Sequence, residues 1–309
     1  MGVLSNALAL ALLLSTGAGL LRFPAESAAA AGEAILLCLE TVLPALFPFF
    51  VLSSLVVQSP IPRVLERVLA GFMQPLFGVS GAGAGALLLG LLGGYPVGAR
   101  TVAELYAQGA VRRDEAEQLL VFCNNSGPGF FLGVCGTAVF GSVRAGAYLY
   151  LIHVLSALAA GMLLRRPLAR PRARLADVPE TPFDLTAAFP GAVQSSFAAV
   201  WNVCGFVVFF MVLLRLLSLL PVFRTLPALS RAALFGFLEM TNGVTSLPPT
   251  RAGFVLCAAL MNWGGLSVQA QTRALLAGSG LSTRGCLRGK AVQAAAGVPL
   301  ALFAAARLF

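Results

Sequence analysis

Long apolar runs alternate with short polar or glycine- and proline-rich segments along this chain. At a rise of about 1.5 Å per residue, about 20 apolar residues cross the hydrocarbon core of a bilayer. Five runs approach or exceed that length: residues 4–21, 35–57, 143–164, 192–220 and 292–308. The pattern therefore predicts an all-α polytopic membrane protein, with lipid around most of its surface.

The composition supports this class. Of the 309 residues, 58% are hydrophobic and 11% are charged, and the mean hydropathy is +0.88. The net charge of +9 comes mainly from arginines in short runs between apolar segments, so we expect it to set membrane orientation and not to bind nucleic acid. The densest cluster comprises Arg165, Arg166, Arg170, Arg172 and Arg174. The positive-inside rule places this cluster in the cytoplasm and, by counting spans back, the N-terminus too.

The sequence has few marks of an enzyme or a metal protein. Its six cysteines show no CxxC spacing, so neither disulfides nor a metal site is indicated. The one histidine, His153, lies in an apolar run and is expected to pack or to make an interhelical hydrogen bond. There is no HExxH, GxSxG or GxxxxGK[ST] motif. We therefore predict no catalytic activity, no cofactor and no built-in ATP-driven pump.

A proline-broken loop divides the chain into halves of similar order. We predict a single transmembrane domain with an extra N-terminal helix (1–33), a first repeat (34–164), a cytoplasmic linker (165–186) and a second repeat (187–309). The N-terminal helix is expected to be retained, since no Lys or Arg precedes its apolar run as in a signal peptide. Because the opening spans of the two repeats should run in opposite directions, the repeats are predicted to be inverted, a common plan among secondary transporters.

Four interruptions of helical sequence, two in each half, are predicted to line a substrate site. We number them break 1 (93–96), break 2 (124–129), break 3 (239–243) and break 4 (262–265). Breaks 1 and 3 are expected to be the turns of re-entrant hairpins, and breaks 2 and 4 to interrupt helices. Such breaks free backbone N–H and C=O groups, which persist at membrane depth only where protein encloses them or where they face water and ligand.

Break 1 offers a place for an anion. Gly94, Tyr95 and Pro96 precede a half-helix whose N-terminal amides carry partial positive charge. Arg100 follows about one turn later and could add to that field. Arg100 could instead pair with Glu104, four residues along the same helix.

Breaks 2 and 4 contain asparagine side chains whose amides could contact a substrate. In break 2, Asn124, Asn125 and Ser126 can donate to and accept from a ligand at once, or can simply cap freed carbonyls. Asn262 is the corresponding amide in break 4. All four are predicted to bind substrate.

Break 3 offers an acid. Glu239 is the only acidic side chain after Asp184, and an intramembrane carboxylate is a functional candidate by default. It could carry a proton, accept a hydrogen bond from substrate or hold a coupling cation, or it could form a structural ion pair with Arg231 or Arg251. Asn242 lies beside it in the same break and is predicted to bind substrate too.

Three runs together resemble a known family: residues 93–100 (GGYPVGAR), 124–130 (NNSGPGF) and 238–243 (LEMTNG). They are similar to runs in the sporulation integral membrane proteins of the YlbJ (SpoVV) type, which are nucleoside-recognition or gate-domain membrane proteins. The likeness extends over residues 34–309. It implies a fold similar to the transport core of concentrative nucleoside transporters. It also implies movement of dipicolinate from the mother cell across the outer forespore membrane.

Two functional classes remain open. The first is a secondary transporter for a small anion such as dipicolinate, with a nucleoside as the main rival substrate. Glu239 would repel a dianion unless it is protonated or paired, so a proton-coupled cycle is a natural hypothesis. The second class is a non-transporting assembly protein of sporulation whose glycines serve helix packing. The expected partners are a small anion and membrane lipid, and a homo-oligomer is left open.

Overall fold

The computed structural model describes residue 10, residues 14–166 and residues 183–309. These stretches are helical apart from turns and contain no β-strand, which confirms the all-α prediction. The helices of the first half are α1 (14–22), α2 (Pro24–Leu37), α3 (Leu43–Gln58), α4 (Ile61–Phe77), α5 (Ala84–Gly93), α6 (Val97–Ala107), α7 (Arg113–Leu119) and α8 (Val143–Leu163). A π-helical turn, Cys38–Val42, joins α2 to α3, and a π-helix, Phe130–Val139, precedes α8.

The second half repeats the order of the first. Its helices are α9 (Leu185–Leu219), α10 (Pro221–Arg224), α11 (Ala228–Leu238), α12 (Met240–Thr245), α13 (Arg251–Trp263), α14 (Gly265–Leu275) and α15 (Arg284–Leu308). In each half a long helix is followed by a helical hairpin, an interrupted helix and a final long helix. We call α5–α6 hairpin 1 and α11–α12 hairpin 2. The inverted relation of the halves and their exact limits stay predictions.

Four helical stretches of the described chain are long and apolar enough to cross a membrane. Three of them, α8, α9 and α15, correspond to spans predicted from the sequence, and the fourth, α13 with α14, was predicted only as a broken segment. The predicted span at 35–57 is not one of the four: its Leu46–Gln58 part is followed by α4 at an angle of 80°, and this pair would make a fifth crossing if counted as one. These helices confirm a multi-pass membrane protein.

Capping residues in the sequence set where several helices begin. Ser142 accepts a hydrogen bond from the Ala145 amide at the start of α8, and Asp184 accepts from two amides at the start of α9. Thr250 accepts from the Gly253 amide at the start of α13. Each side chain satisfies N–H groups that the first turn of a helix leaves free.

The last helices of the two halves, α8 and α15, pack against each other. Helix α15 packs against both α8 and α13, and α8 also packs against the π-helix that precedes it. Helices α2 and α3 pack against α9 on another side. Half of the predicted apolar run 4–21 (residues 4–9 and 11–13) and Arg170, Arg172 and Arg174 of the linker lie outside the described residues.

Candidate substrate site

Hairpin 1 turns sharply at break 1. Helix α5 ends at Gly93, the Tyr95–Pro96 peptide is cis and α6 begins at Val97. Gly94 has φ +81°, a conformation that residues with a Cβ rarely adopt. A Cβ at Gly94 would also lie 3.1 Å from the amide nitrogen of Gly127. The tip of hairpin 1 is therefore in contact with break 2.

Two glycines allow the backbone that leads into break 2 to lie between the two helices of hairpin 1. A Cβ at Gly90 on α5, or at Gly98 on α6, would overlap the carbonyl oxygen of Cys123. The backbone immediately before Asn124 is thus held in a slot that only glycine leaves open. This contact positions the side chains of break 2.

The two asparagines of break 2 point to different neighbours. Asn124 donates through Nδ2 to Thr272 on α14 at 2.9 Å, and its Oδ1 is buried without a hydrogen-bond partner. Asn125 donates through Nδ2 to the Phe122 carbonyl at 2.7 Å, which leaves its Oδ1 facing α15. Asn124 and Asn125 are both almost fully buried.

His153 on α8 connects breaks 2 and 4. Its Nε2 accepts from the Ser126 amide at 3.1 Å, and its Nδ1 lies 2.8 Å from Oδ1 of Asn262. Because Nε2 is an acceptor, the proton of the neutral ring is assigned to Nδ1, which donates to Asn262. This is the interhelical hydrogen bonding expected from the sequence. Nδ2 of Asn262 is buried without a hydrogen-bond partner.

Lys290 and Gln293 on α15 complete the centre of the site. Lys290 donates through Nζ to Gln293 Oε1 at 2.7 Å and to Asn125 Oδ1 at 3.3 Å. Its Nζ also lies 4.9 Å from the centre of the Tyr95 ring, within range of a cation–π interaction. Gln293 donates through Nε2 to Asn125 Oδ1 and to the His153 carbonyl, each at 3.3 Å.

Neither residue was predicted. The predicted apolar run begins at residue 292, which puts Lys290 in the flanking segment, whereas Gln293 lies just inside the run. The signal was present nevertheless. Lys290 and Gln293 are three residues apart and so share one face of a helix.

Break 4 lies against breaks 1 and 3. Gly264 has φ +81°, and a Cβ there would lie 3.1 Å from the Tyr95 hydroxyl. That hydroxyl donates to the Met261 carbonyl at 3.4 Å. A Cβ at Gly265 would lie 2.9 Å from the Met240 amide nitrogen in break 3. The four breaks thus form a continuous chain of contacts, 2 to 1 to 4 to 3.

Glu239 in break 3 acts as the N-cap of α12. Its carboxylate accepts from the Thr241 amide at 3.0 Å, from the Asn242 amide at 2.8 Å and from Nδ2 of Asn242 at 2.8 Å. Within the described residues it forms no ion pair with Arg231 or Arg251. Its two predicted arginine partners are therefore not the reason for its burial.

Arg100 lies apart from this arrangement. It pairs with Glu104 at 2.9 Å and donates to the Ser195 and Ser196 hydroxyls of α9 at 2.8 and 3.3 Å. The ion pair that was the alternative for this residue is the one present. A role for Arg100 in holding substrate stays a prediction.

The residues that meet at the centre are Tyr95, Asn125, Ser126, His153, Asn262, Lys290 and Gln293, and we call them the polar cluster. Of the predicted site residues, Tyr95, Asn125, Ser126 and Asn262 belong to it. Gly94 and Pro96 shape the adjoining hairpin tip, Asn124 turns to α14, and Glu239 and Asn242 bond to each other in break 3.

The polar cluster is enclosed by protein. Asn125, His153, Lys290 and Gln293 are all 0% exposed. Two apolar grooves of about 520 and 480 Å³ lie elsewhere, between α13 and α15 and between α2 and α9, and no cluster residue lines either of them. A solute that reached the cluster would need the surrounding helices to move.

Comparison with known proteins supports the resemblance drawn from the three runs. Residues 39–162 match the gate family, described as nucleoside recognition. This stretch contains breaks 1 and 2 and His153. Over 274 residues the chain is 29% identical to the sporulation integral membrane protein YlbJ of Bacillus subtilis (strain 168), covering 77% of this chain and 67% of that protein. No solved structure matches the chain.

Proposed function

We propose that this multi-pass membrane protein is a secondary transporter of a small anionic solute and that it acts in sporulation, as the name of the relative it matches indicates for that protein. The favoured substrate is dipicolinate, moved from the mother cell toward the forespore across the outer forespore membrane, with the N-terminus in the cytoplasm. The observation that carries the proposal is the continuous contact of the four breaks, three of which meet at a buried polar cluster that contains Lys290.

The physical argument starts from the cost of broken helices in a membrane. A backbone group left without a hydrogen bond in hydrocarbon costs several kcal/mol, roughly 2–7. Four separate breaks would be expensive if they served only to shape the fold. Paired half-helices that meet near the centre of a membrane domain are instead the usual way in which transporters present backbone and side-chain groups to a solute.

The chemistry of the polar cluster suits a flat carboxylate dianion. The Lys290 ammonium supplies a positive charge, and the amides of Asn125, Asn262 and Gln293 supply donors that could replace water around the carboxylates. The Tyr95 ring lies beside Lys290 and offers an apolar face to an aromatic ring. These groups support an anionic substrate more directly than a ribose, for which no pair of carboxylates is present in the cluster.

Uptake into proteoliposomes is the direct test. Purified protein should accumulate radiolabelled dipicolinate above protein-free liposomes, with saturation and with weak competition from nucleosides. Strong competition from nucleosides with no dipicolinate uptake would favour the second candidate, a nucleoside transporter, which the description of the matched family supports. No uptake of either solute, and no ligand-induced rise in thermal stability, would favour a non-transporting assembly protein.

The coupling role of Glu239 is tested in the same assay. If Glu239 carries a proton in the cycle, Glu239→Gln should flatten the dependence of dipicolinate uptake on pH, because glutamine cannot exchange a proton. Glutamine keeps one of the two acceptor oxygens that cap α12, so part of the cap should survive. Glu33→Gln is the control, since Glu33 pairs with Arg215 at the exposed surface. If Glu239→Gln transports normally at every pH, proton coupling through this residue is wrong.

A further inference from the structure

Lys290 is an unusual residue for the interior of a membrane helix. It lies in α15, which is long and apolar enough to span a membrane, and it is 0% exposed. Charged side chains buried in a membrane-spanning segment are costly and usually mark a path for ions or substrates. Arg288, two residues earlier on the same helix, is exposed, so the burial is a property of this position.

The groups that satisfy Lys290 are neutral. Its two hydrogen-bond acceptors are the amide oxygens of Asn125 and Gln293, and the Tyr95 ring is its third neighbour. Across the described part of the chain, the ion pairs join arginines to Asp or Glu, and none includes Lys290. A buried lysine amine held only by neutral oxygens is an arrangement that an incoming anion can improve, because the anion stabilises the protonated amine.

The acceptors are held in fixed orientations. Asn125 uses Nδ2 for the Phe122 carbonyl, so its Oδ1 must face Lys290. Gln293 must present Oε1 to Lys290, because an ammonium donates and does not accept. The Lys290 ammonium is therefore placed by groups that are themselves positioned, as a binding site requires.

A second observation points to a ligand in the same place. Asn262 belongs to the polar cluster, is 1% exposed, and its Nδ2 has no hydrogen-bond partner. Buried polar atoms are nearly always satisfied, so the free donor of Asn262 indicates a group available to an acceptor on another molecule.

We propose that the Lys290 ammonium is the group that pairs with a carboxylate of the transported anion, at the point where breaks 1, 2 and 4 meet. The proposal rests on the transporter function proposed above and assigns its anion selectivity to one residue on α15. On binding, the carboxylate accepts from Nζ in place of one amide oxygen, and Asn125 and Gln293 keep the orientations that their other hydrogen bonds give them. Arg100 is already paired with Glu104.

Equilibrium binding to purified protein tests this assignment. Three related pyridine probes that differ in charge are compared: pyridine-2,6-dicarboxylate, pyridine-2-carboxylate and the neutral pyridine-2,6-dicarboxamide. The wild type should prefer the dicarboxylate to the dicarboxamide. Lys290→Met should weaken dicarboxylate binding roughly 30-fold or more, as expected for loss of one partner of a buried charge pair, and should abolish the preference over the dicarboxamide. Lys290→Arg should retain most of the preference, and Arg288→Met should bind like the wild type.

The outcomes separate this inference from the function on which it rests. If the wild type binds and transports the dicarboxylate and Lys290→Met keeps the full preference for it over the dicarboxamide, the role of Lys290 is overturned and the transporter stands. If the wild type transports only nucleosides, or binds none of the probes, the anion function and this inference fail together. Should Lys290→Met not fold, Lys290→Gln carries the same comparison, because glutamine can still hydrogen-bond with Asn125 and Gln293.

Discussion

The two hairpins of this protein make similar turns, but their glycines contact different parts of the molecule. Hairpin 1 is closed around the backbone of break 2, since Gly90 and Gly98 both abut the Cys123 carbonyl. Hairpin 2 is closed on itself, since Gly243 on α12 abuts Gly236 on α11. Hairpin 1 is therefore part of the wall of another break, whereas hairpin 2 is a more self-contained unit that meets the site through Gly265.

The helix ends at the two tips differ as well. Helix α6 begins at break 1 without a side-chain cap, whereas the first amides of α12 are occupied by the Glu239 carboxylate. The positive end of a helix dipole attracts anions only where no side chain already neutralises it. The acid and the uncapped helix N-terminus therefore lie at separate breaks. Lys290, the proposed source of positive charge, lies on α15, outside both hairpins.

The largest effect is expected from filling the glycine contacts. Gly98→Ala would overlap the Cys123 backbone, and Gly243→Ala would overlap the Gly236 backbone. Each should destabilise the protein by about 1–3 kcal/mol or more, because backbone cannot move aside as a side chain can. Thermal unfolding in detergent measures this, with Gly191→Ala as the control, since a Cβ there meets no atom within 4 Å.

The same two variants also test whether the two hairpins differ in their contribution to ligand binding. Because hairpin 1 holds break 2, Gly98→Ala should weaken ligand binding even where the protein remains folded. Gly243→Ala should affect stability more than affinity. Equal loss of affinity in the two variants would contradict the view that hairpin 2 is the more independent unit.

A smaller effect is expected at the cap of α12. Glu239→Ala removes the acceptor for two amides of that helix, and loss of an N-cap side chain costs about 0.5–2 kcal/mol. Glu239→Gln should cost less, because an amide oxygen still accepts. Thermal midpoints of the two variants, measured at one pH, decide the matter. If both variants are as stable as the wild type, the cap contributes nothing and the burial of Glu239 needs another reason.

The sequence predicted the breaks because they depend on local chemistry. Glycine, proline and asparagine in apolar runs mark where a helix must stop, and breaks 1, 2 and 4 lie where those residues occur. At break 3 the interruption is at Glu239, and the predicted breakers Asn242 and Gly243 lie inside α12. The long helices α8, α9 and α15 followed from apolar length in the same way. These features need no knowledge of tertiary contacts.

The centre of the site depends on contacts between distant segments, and there the sequence was less informative. Arg100 was placed near the substrate because of its neighbours in sequence, but its guanidinium is directed to Ser195 and Ser196, nearly a hundred residues away. Lys290 was overlooked because a charged residue at the edge of an apolar run resembles a flanking residue. Only the packing of α15 against α8 and α13 shows that it is buried.

Hydrogen–deuterium exchange with and without saturating pyridine-2,6-dicarboxylate tests the central claim most directly, that the four breaks form one site for an anion. Backbone amides of breaks 1, 2, 3 and 4 should all exchange more slowly when ligand is bound, and those of the exposed face of α4 should not change. In Lys290→Met the protection should disappear at the same ligand concentration. Protection confined to a single break, or present only at segments remote from the polar cluster while binding is saturated, would contradict the account.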